Sequence, residues 1–219
     1  MAATVDKSKP YIPHNSGVDD RWSTEDTATA TCFCGAVQLS FVSHSPSARP
    51  STSAHNLLPL SIPHGASSSN APQPTQGPGF LDSFVCNCTD CRKITASMFA
   101  SNFVIADSHL THVRGREDLR TYSQSHTILS GSTMTNYFCG TCGTLMYRVG
   151  AAFPGCSILR IGTVDDFNLH ETKLRPRVEQ FIKDRVSWFT GVEGAKKVEG
   201  SYYGTKAQKE DKEARGAAL

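Results

Sequence analysis

Seven of the chain's eight cysteines fall into three groups: Cys32 and Cys34, then Cys86, Cys88 and Cys91, then Cys139 and Cys142. Thiolates spaced as CxC, CxCxxC and CxxC can converge on single ions, and tetrahedral zinc is the usual occupant of such sulfur sites. The CxC and CxxC pairs together supply four ligands, enough to close a structural tetrahedron. The CxCxxC group supplies three and leaves a fourth position for water or substrate. This arithmetic suggests two zinc ions, one structural and one catalytic.

Other uses of the thiols remain open. Both metals could be structural, with His or Asp completing the three-cysteine set; the chain has eight histidines. A disulfide framework needs an oxidising compartment, and residues 1–31 hold no apolar run of the signal-peptide kind. The spacings differ from those of iron-sulfur ferredoxins. Cys156 stands apart in a largely apolar stretch and reads as a small buried residue.

These groups must be positioned by a single domain. At 219 residues the chain suffices for one well-filled core. A formal net charge of +2 with scattered Lys and Arg gives no electrostatic case for nucleic acid. No segment has the apolar length to span a bilayer, so a soluble, cytoplasmic protein is expected.

Residues 1–26 read as a loose arm, with Tyr11, Ile12 and Trp22 able to pin it to the surface. Short strands are expected over residues 36–42, 99–105, 119–122, 144–149, 157–161 and 178–182, with residues 84–85 and 136–138 leading into cysteine loops. In residues 43–80, 16 of 38 positions are Ser or Pro and none is acidic or Lys, which marks an inserted loop; a flexible surface insertion is the stronger expectation, with its apolar island at residues 57–62 a candidate lid as the alternative. Helix is expected only at residues 94–98 and after Lys206. Residues 191–219 read as a solvated C-terminal tail. The fold class is therefore mainly β, stapled by metal.

The segments at residues 32–37, 86–93, 138–144, 162–166 and 187–188 stand in an order that resembles the glutathione-dependent formaldehyde-activating enzyme family, which includes centromere protein V. The resemblance covers residues 27–190. It implies a β-tent fold, a structural zinc on Cys32, Cys34, Cys139 and Cys142, and a catalytic zinc on Cys86, Cys88 and Cys91. The chain departs from the family pattern at Asn87 (often His), at Ala96 (commonly Gly), at Glu179-Gln180-Phe181 (often His-Ile-Phe) and in the length of the 43–80 insertion. None of these removes a presumed ligand; all bear on which substrate is used.

Three thiolates on Zn²⁺ leave a net charge of about −1, a weak Lewis acid, which suits holding a fourth thiolate such as that of glutathione better than acidifying water. Attack of that thiolate on an aldehyde carbon gives an S-hydroxyalkyl adduct, and the reverse is a carbon-sulfur lyase step. Polarisation of the carbonyl oxygen by the metal is the alternative. Arg92 and Lys93 are candidates to pair with carboxylates of the substrate, although exposed basic residues without that job fit equally well. Asp90 could accept a proton or form the turn. His109, His112 and His126 have no spacing relation to the cysteines. Trp188 could wall a pocket, with core packing the stronger expectation. The reading is an enzyme that adds a thiol to a small electrophile. An enzyme of secondary metabolism that does not use glutathione and a non-catalytic zinc interaction module are the alternatives. The sequence does not give the oligomeric state.

Overall fold

The computed structural model describes residues 11, 22–24, 26–42, 79–128 and 130–203. Its strands in chain order are β1 (Thr27–Thr31), β2 (Gln38–Val42), β3 (Phe80–Cys86), β4 (Ala100–Ala106), β5 (Leu110–Arg114) and β6 (Leu119–Gln124). They continue with β7 (Met134–Cys139), β8 (Leu145–Gly150), β9 (Cys156–Arg160), β10 (Val178–Gln180) and β11 (Lys196–Val198). Two short helices, α1 (Thr89–Thr95) and α2 (Phe167–Glu171), complete the set. The fold is mainly β, as expected. A three-stranded sheet runs β1-β2-β5 and an eight-stranded sheet runs β11-β10-β3-β4-β9-β8-β7-β6. Pairing is antiparallel except where β10 lies parallel to β3 and to β11.

Because side chains alternate along a strand, the large sheet has two chemically different faces. Phe103 and Ile105 of β4, Leu159 of β9 and Tyr137 and Tyr147 of β7 and β8 meet Ala28, Ala30, Leu39 and Phe41 of the small sheet in the main core. The Phe41 and Phe103 rings lie 5.0 Å apart. The opposite face carries a smaller apolar cluster of Phe84, Cys86, Ala100, Val104, Cys156 and Val178, into which Cys91 packs. Cys156 is the small buried residue expected of it, 7% exposed.

The 162–166 segment proves structural. Asp165 accepts hydrogen bonds from the Thr29 and Thr31 hydroxyls, each at 2.6 Å, and so stitches the segment to β1. Asp166 caps α2 through the Asn168 N–H (3.0 Å) and also accepts from the Tyr11 N–H (3.1 Å), pinning that point of the N-terminal arm. Trp22 is tied to Thr29 through backbone contacts with its hydroxyl. Ile12 lies outside the described residues, as do residues 43–78 with their apolar island and the stretch after Lys206.

Several expectations need correction. Phe80, assigned to the insertion, instead begins β3 and is 1% exposed in the main core. Residues 191–203 are not all tail: β11 pairs with β10, and Tyr203 donates from its hydroxyl to Asp82 Oδ2 (2.9 Å) with its ring edge-on to Phe84. Trp188 is 69% exposed rather than packed in the core. The helix expected at residues 94–98 starts earlier, because Cys88 acts as its N-cap, and it stops at Ala96, which turns into the left-handed region (φ 50°). A non-glycine residue there carries strain on the order of 1 kcal/mol. Ala96→Gly is therefore expected to raise stability by roughly that amount, read as a higher urea midpoint at unchanged slope. A midpoint that stays put or falls would remove the strain argument.

Candidate metal centres

The four-cysteine group forms where two tight turns face each other. Cys32 follows β1, and its turn is held by the Gly35 N–H to Cys32 carbonyl bond (3.0 Å), the Cys32 N–H to Val37 carbonyl bond (3.0 Å) and the Val37 N–H to Cys32 Sγ bond (3.2 Å). Cys139 ends β7; Gly143 donates back to its carbonyl (2.9 Å), and a φ of 74° at Gly143 permits the reversal. Thr144 links the two turns: its hydroxyl accepts from the Phe33 N–H (3.1 Å) and lies 3.2 Å from Cys142 Sγ. The sulfurs of Cys32 and Cys34 are 3.6 Å apart and those of Cys34 and Cys139 3.7 Å, and all four lie within 4.8 Å of one another. A tetrahedron with Zn–S bonds of about 2.3 Å needs sulfurs about 3.8 Å apart, so the group fits a closed zinc site. Burial pushes the Cys32 thiol up to about 12, so a bound cation is what would keep it ionised at neutral pH.

The three-cysteine group lies on the other face of the large sheet. Cys86 ends β3, Cys88 caps α1 by accepting the Cys91 N–H on its sulfur (3.5 Å), and Cys91 is fully buried in the first helical turn. Cys86 Sγ and Cys88 Sγ are 3.4 Å apart, and all three sulfurs lie within 4.8 Å. Among the described residues no carboxylate, imidazole or fourth thiol joins them. The neighbouring thiols of Cys88 and Cys91, with burial, push Cys86 well up, whereas hydrogen bonds from Cys86 and Cys88, helped by Arg148 and Arg160, hold Cys91 well down. The donor set fits a zinc ion with one coordination position not filled by the chain.

The other expected site residues are placed as follows. Arg92, in the last turn of α1, gives Nη1 to the Asp184 carbonyl (3.3 Å) and Nη2 to Met98 Sδ (3.6 Å), while Lys93 is exposed. Asp90 accepts from the Thr127 hydroxyl (2.6 Å) and from Gln124 Nε2 (3.4 Å), which ties α1 to the end of β6. His109 lies beside the Ser108 hydroxyl (2.9 Å), His112 beside the Tyr147 hydroxyl (3.1 Å), and His126 is exposed.

Two departures from the family pattern touch each other. Asn87 Nδ2 donates to Glu179 Oε1 and to the Gln180 carbonyl, both at 3.2 Å, and both side chains are wholly buried. Glu179 is balanced by Arg185 Nη1 (3.1 Å) and by the Val192 N–H (3.2 Å). This network lies directly behind the CxCxxC loop.

Sequence reading missed Arg148 and Arg160, whose positive charges act on the Cys91 sulfur and help to hold its thiol down. Each is the one charge in an otherwise uncharged strand, which was the available signal.

The family model of the glutathione-dependent formaldehyde-activating enzyme matches residues 74–184, half of the chain and five of the seven clustered cysteines, and this chain belongs to that family. A crystal structure of a Rhodobacter sphaeroides protein is similar over 62% of this chain and 85% of that one, at 23% identity and a TM-score of 0.37. No curated protein matches. Among the described residues no helix is long and apolar enough to cross a membrane.

Proposed function

We propose that the chain is a zinc-dependent carbon-sulfur lyase that joins a thiol, glutathione or one like it, to a small aldehyde such as formaldehyde, and releases it in reverse. The observation that carries this reading is the unequal ligand count: four convergent cysteines on one face of the large sheet, three on the other. Cys32, Cys34, Cys139 and Cys142 would hold a structural zinc, and Cys86, Cys88 and Cys91 a catalytic one. The catalytic ion would lower the pKa of an incoming thiol, so that a nucleophilic thiolate persists at neutral pH.

The chain's own residues fix where that thiol can stand. Cys88 and Cys91 are held by the start of α1 and Cys86 by its strand partner Ala100, so the three sulfurs stay within 4.8 Å of one another. The thiolate sulfur attacks the carbonyl carbon, a carbon-sulfur bond forms, and the carbonyl π pair moves to oxygen, which takes a proton from solvent. Arg92 and Lys93 add positive charge at the rim of α1, where solvent screening keeps each contribution small. A site built of free thiols also suits a reducing compartment such as the cytoplasm.

The experiment is to mix ¹³C-formaldehyde and glutathione with the zinc-loaded protein and to follow exchange between free aldehyde and S-hydroxymethyl adduct by NMR. Exchange faster than the uncatalysed rate, and lost in Cys88→Ser, is the expected result. An uncatalysed rate at saturating protein would remove glutathione and formaldehyde as the substrates.

A further inference from the structure

The face of the large sheet that bears Cys86 also carries a row of polar side chains whose hydrogen-bonding capacity the described residues satisfy only in part. Register places Asn102 opposite Phe84 and Arg160, and Arg148 opposite Ile158 and Asn136. By two-residue alternation these positions share the face of Cys86 and Ala100. Arg160 is 6% exposed and donates to Asn102 Oδ1, yet its Nε and Nη2 have no partner, and neither does Nε of Arg148. Asn136 Oδ1 and Asn87 Oδ1 are sealed and unpaired as well. An unsatisfied buried donor costs about 1–3 kcal/mol, and a charged one more. Three such nitrogens on two neighbouring arginines imply a missing acceptor rather than three separate defects.

Charge gives the same answer. Among the described residues neither guanidinium meets a carboxylate, and the anionic groups near both are the sulfurs of the three-cysteine group. Three thiolates on Zn²⁺ carry about −1 and two arginines +2, an excess of about one positive charge that favours anionic ligands at the centre. A planar anion with two acceptor oxygens matches a guanidinium fork as a point charge would not.

We propose that Arg148 and Arg160 seat a carboxylate of the substrate beside the Cys86, Cys88 and Cys91 centre, which makes the preferred thiol an anionic, carboxylate-bearing one. This rests on the reading that the substrate thiol binds at that centre. Arg160 is the enclosed wall of the seat. Arg148, half-buried as a residue with its Nε sealed, is the member a ligand reaches from solvent.

The test is calorimetric titration of the zinc-loaded protein with three probes: 3-mercaptopropionate, the neutral thiol 2-mercaptoethanol, and propionate, which has no thiol. The acid thiol is expected to bind on the order of tenfold or more tighter than the neutral one, the range of a charge-assisted pair. Propionate should compete with it. Arg148→Gln, checked for an unchanged zinc content and melting profile, should abolish the preference, and Arg148→Lys should restore part of it. Equal binding of the two thiols by the unaltered protein overturns the proposal, whatever the variants do, and so does a preference that survives in Arg148→Gln. If propionate binds and is lost in Arg148→Gln while neither thiol binds more tightly than propionate, the seat stands and thiol chemistry at this centre falls.

Discussion

Cys139→Ser is expected to abolish the folded domain at room temperature. Cys139 ends β7, is 1% exposed in the main core and faces the Cys32 turn through sulfurs less than 4 Å apart. Structural zinc supplies roughly 10 kcal/mol or more of apparent folding free energy, as much as a whole domain of this size usually has to spare. With three thiolates remaining and β7 anchored at one end only, the large sheet loses the clamp that holds it to β1. The measurement is thermal and urea unfolding with metal analysis. A cooperative transition within a few degrees of the unaltered protein, with one zinc fewer, would show that this site does not staple the fold.

Cys88→Ser should behave in the opposite way. Serine is a favoured N-cap, and its hydroxyl can take over the Cys91 N–H that the sulfur accepts at 3.5 Å, so α1 should still start at Thr89. Zinc at the three-cysteine group would be left with two thiolates. The loss in metal affinity and turnover should exceed the roughly 10–100-fold that outer-shell partners are worth, while the unfolding midpoint moves little. If Cys88→Ser unfolds the chain as readily as Cys139→Ser, the division into a structural and a catalytic centre fails.

Much of this is legible in the sequence. Cysteine spacing alone divides the ligands into four and three, alternation marks β2, and short runs rich in strand-favouring residues mark β4, β8 and β9 within a residue or two. β1 was missed because its inward residues, Ala28 and Ala30, are too small to stand out against the threonines between them. β11, Lys-Lys-Val, reads as a solvated segment and becomes a strand only by lying parallel to β10. α1 was placed too late because its cap is a cysteine, outside the usual capping residues, and Ala96 hides the stop that a glycine would have announced. Trp188 shows the limit of composition: a large aromatic beside Phe189 was expected inside and lies outside. The Arg148 and Arg160 pair could not be read as a pair, because two strands twelve residues apart share a face only once their register is known.

The most direct measurement for the account as a whole is absorption spectroscopy of protein carrying Co²⁺ in place of zinc at Cys86, Cys88 and Cys91, titrated with glutathione. A position open to substrate thiol predicts that the sulfur-to-cobalt charge-transfer band strengthens to a saturable limit as a fourth sulfur enters the shell, and that Cys88→Ser loses this response. A spectrum that stays unchanged at saturating glutathione while the enzyme still turns over would contradict direct thiol binding and with it the central role assigned to the three-cysteine centre.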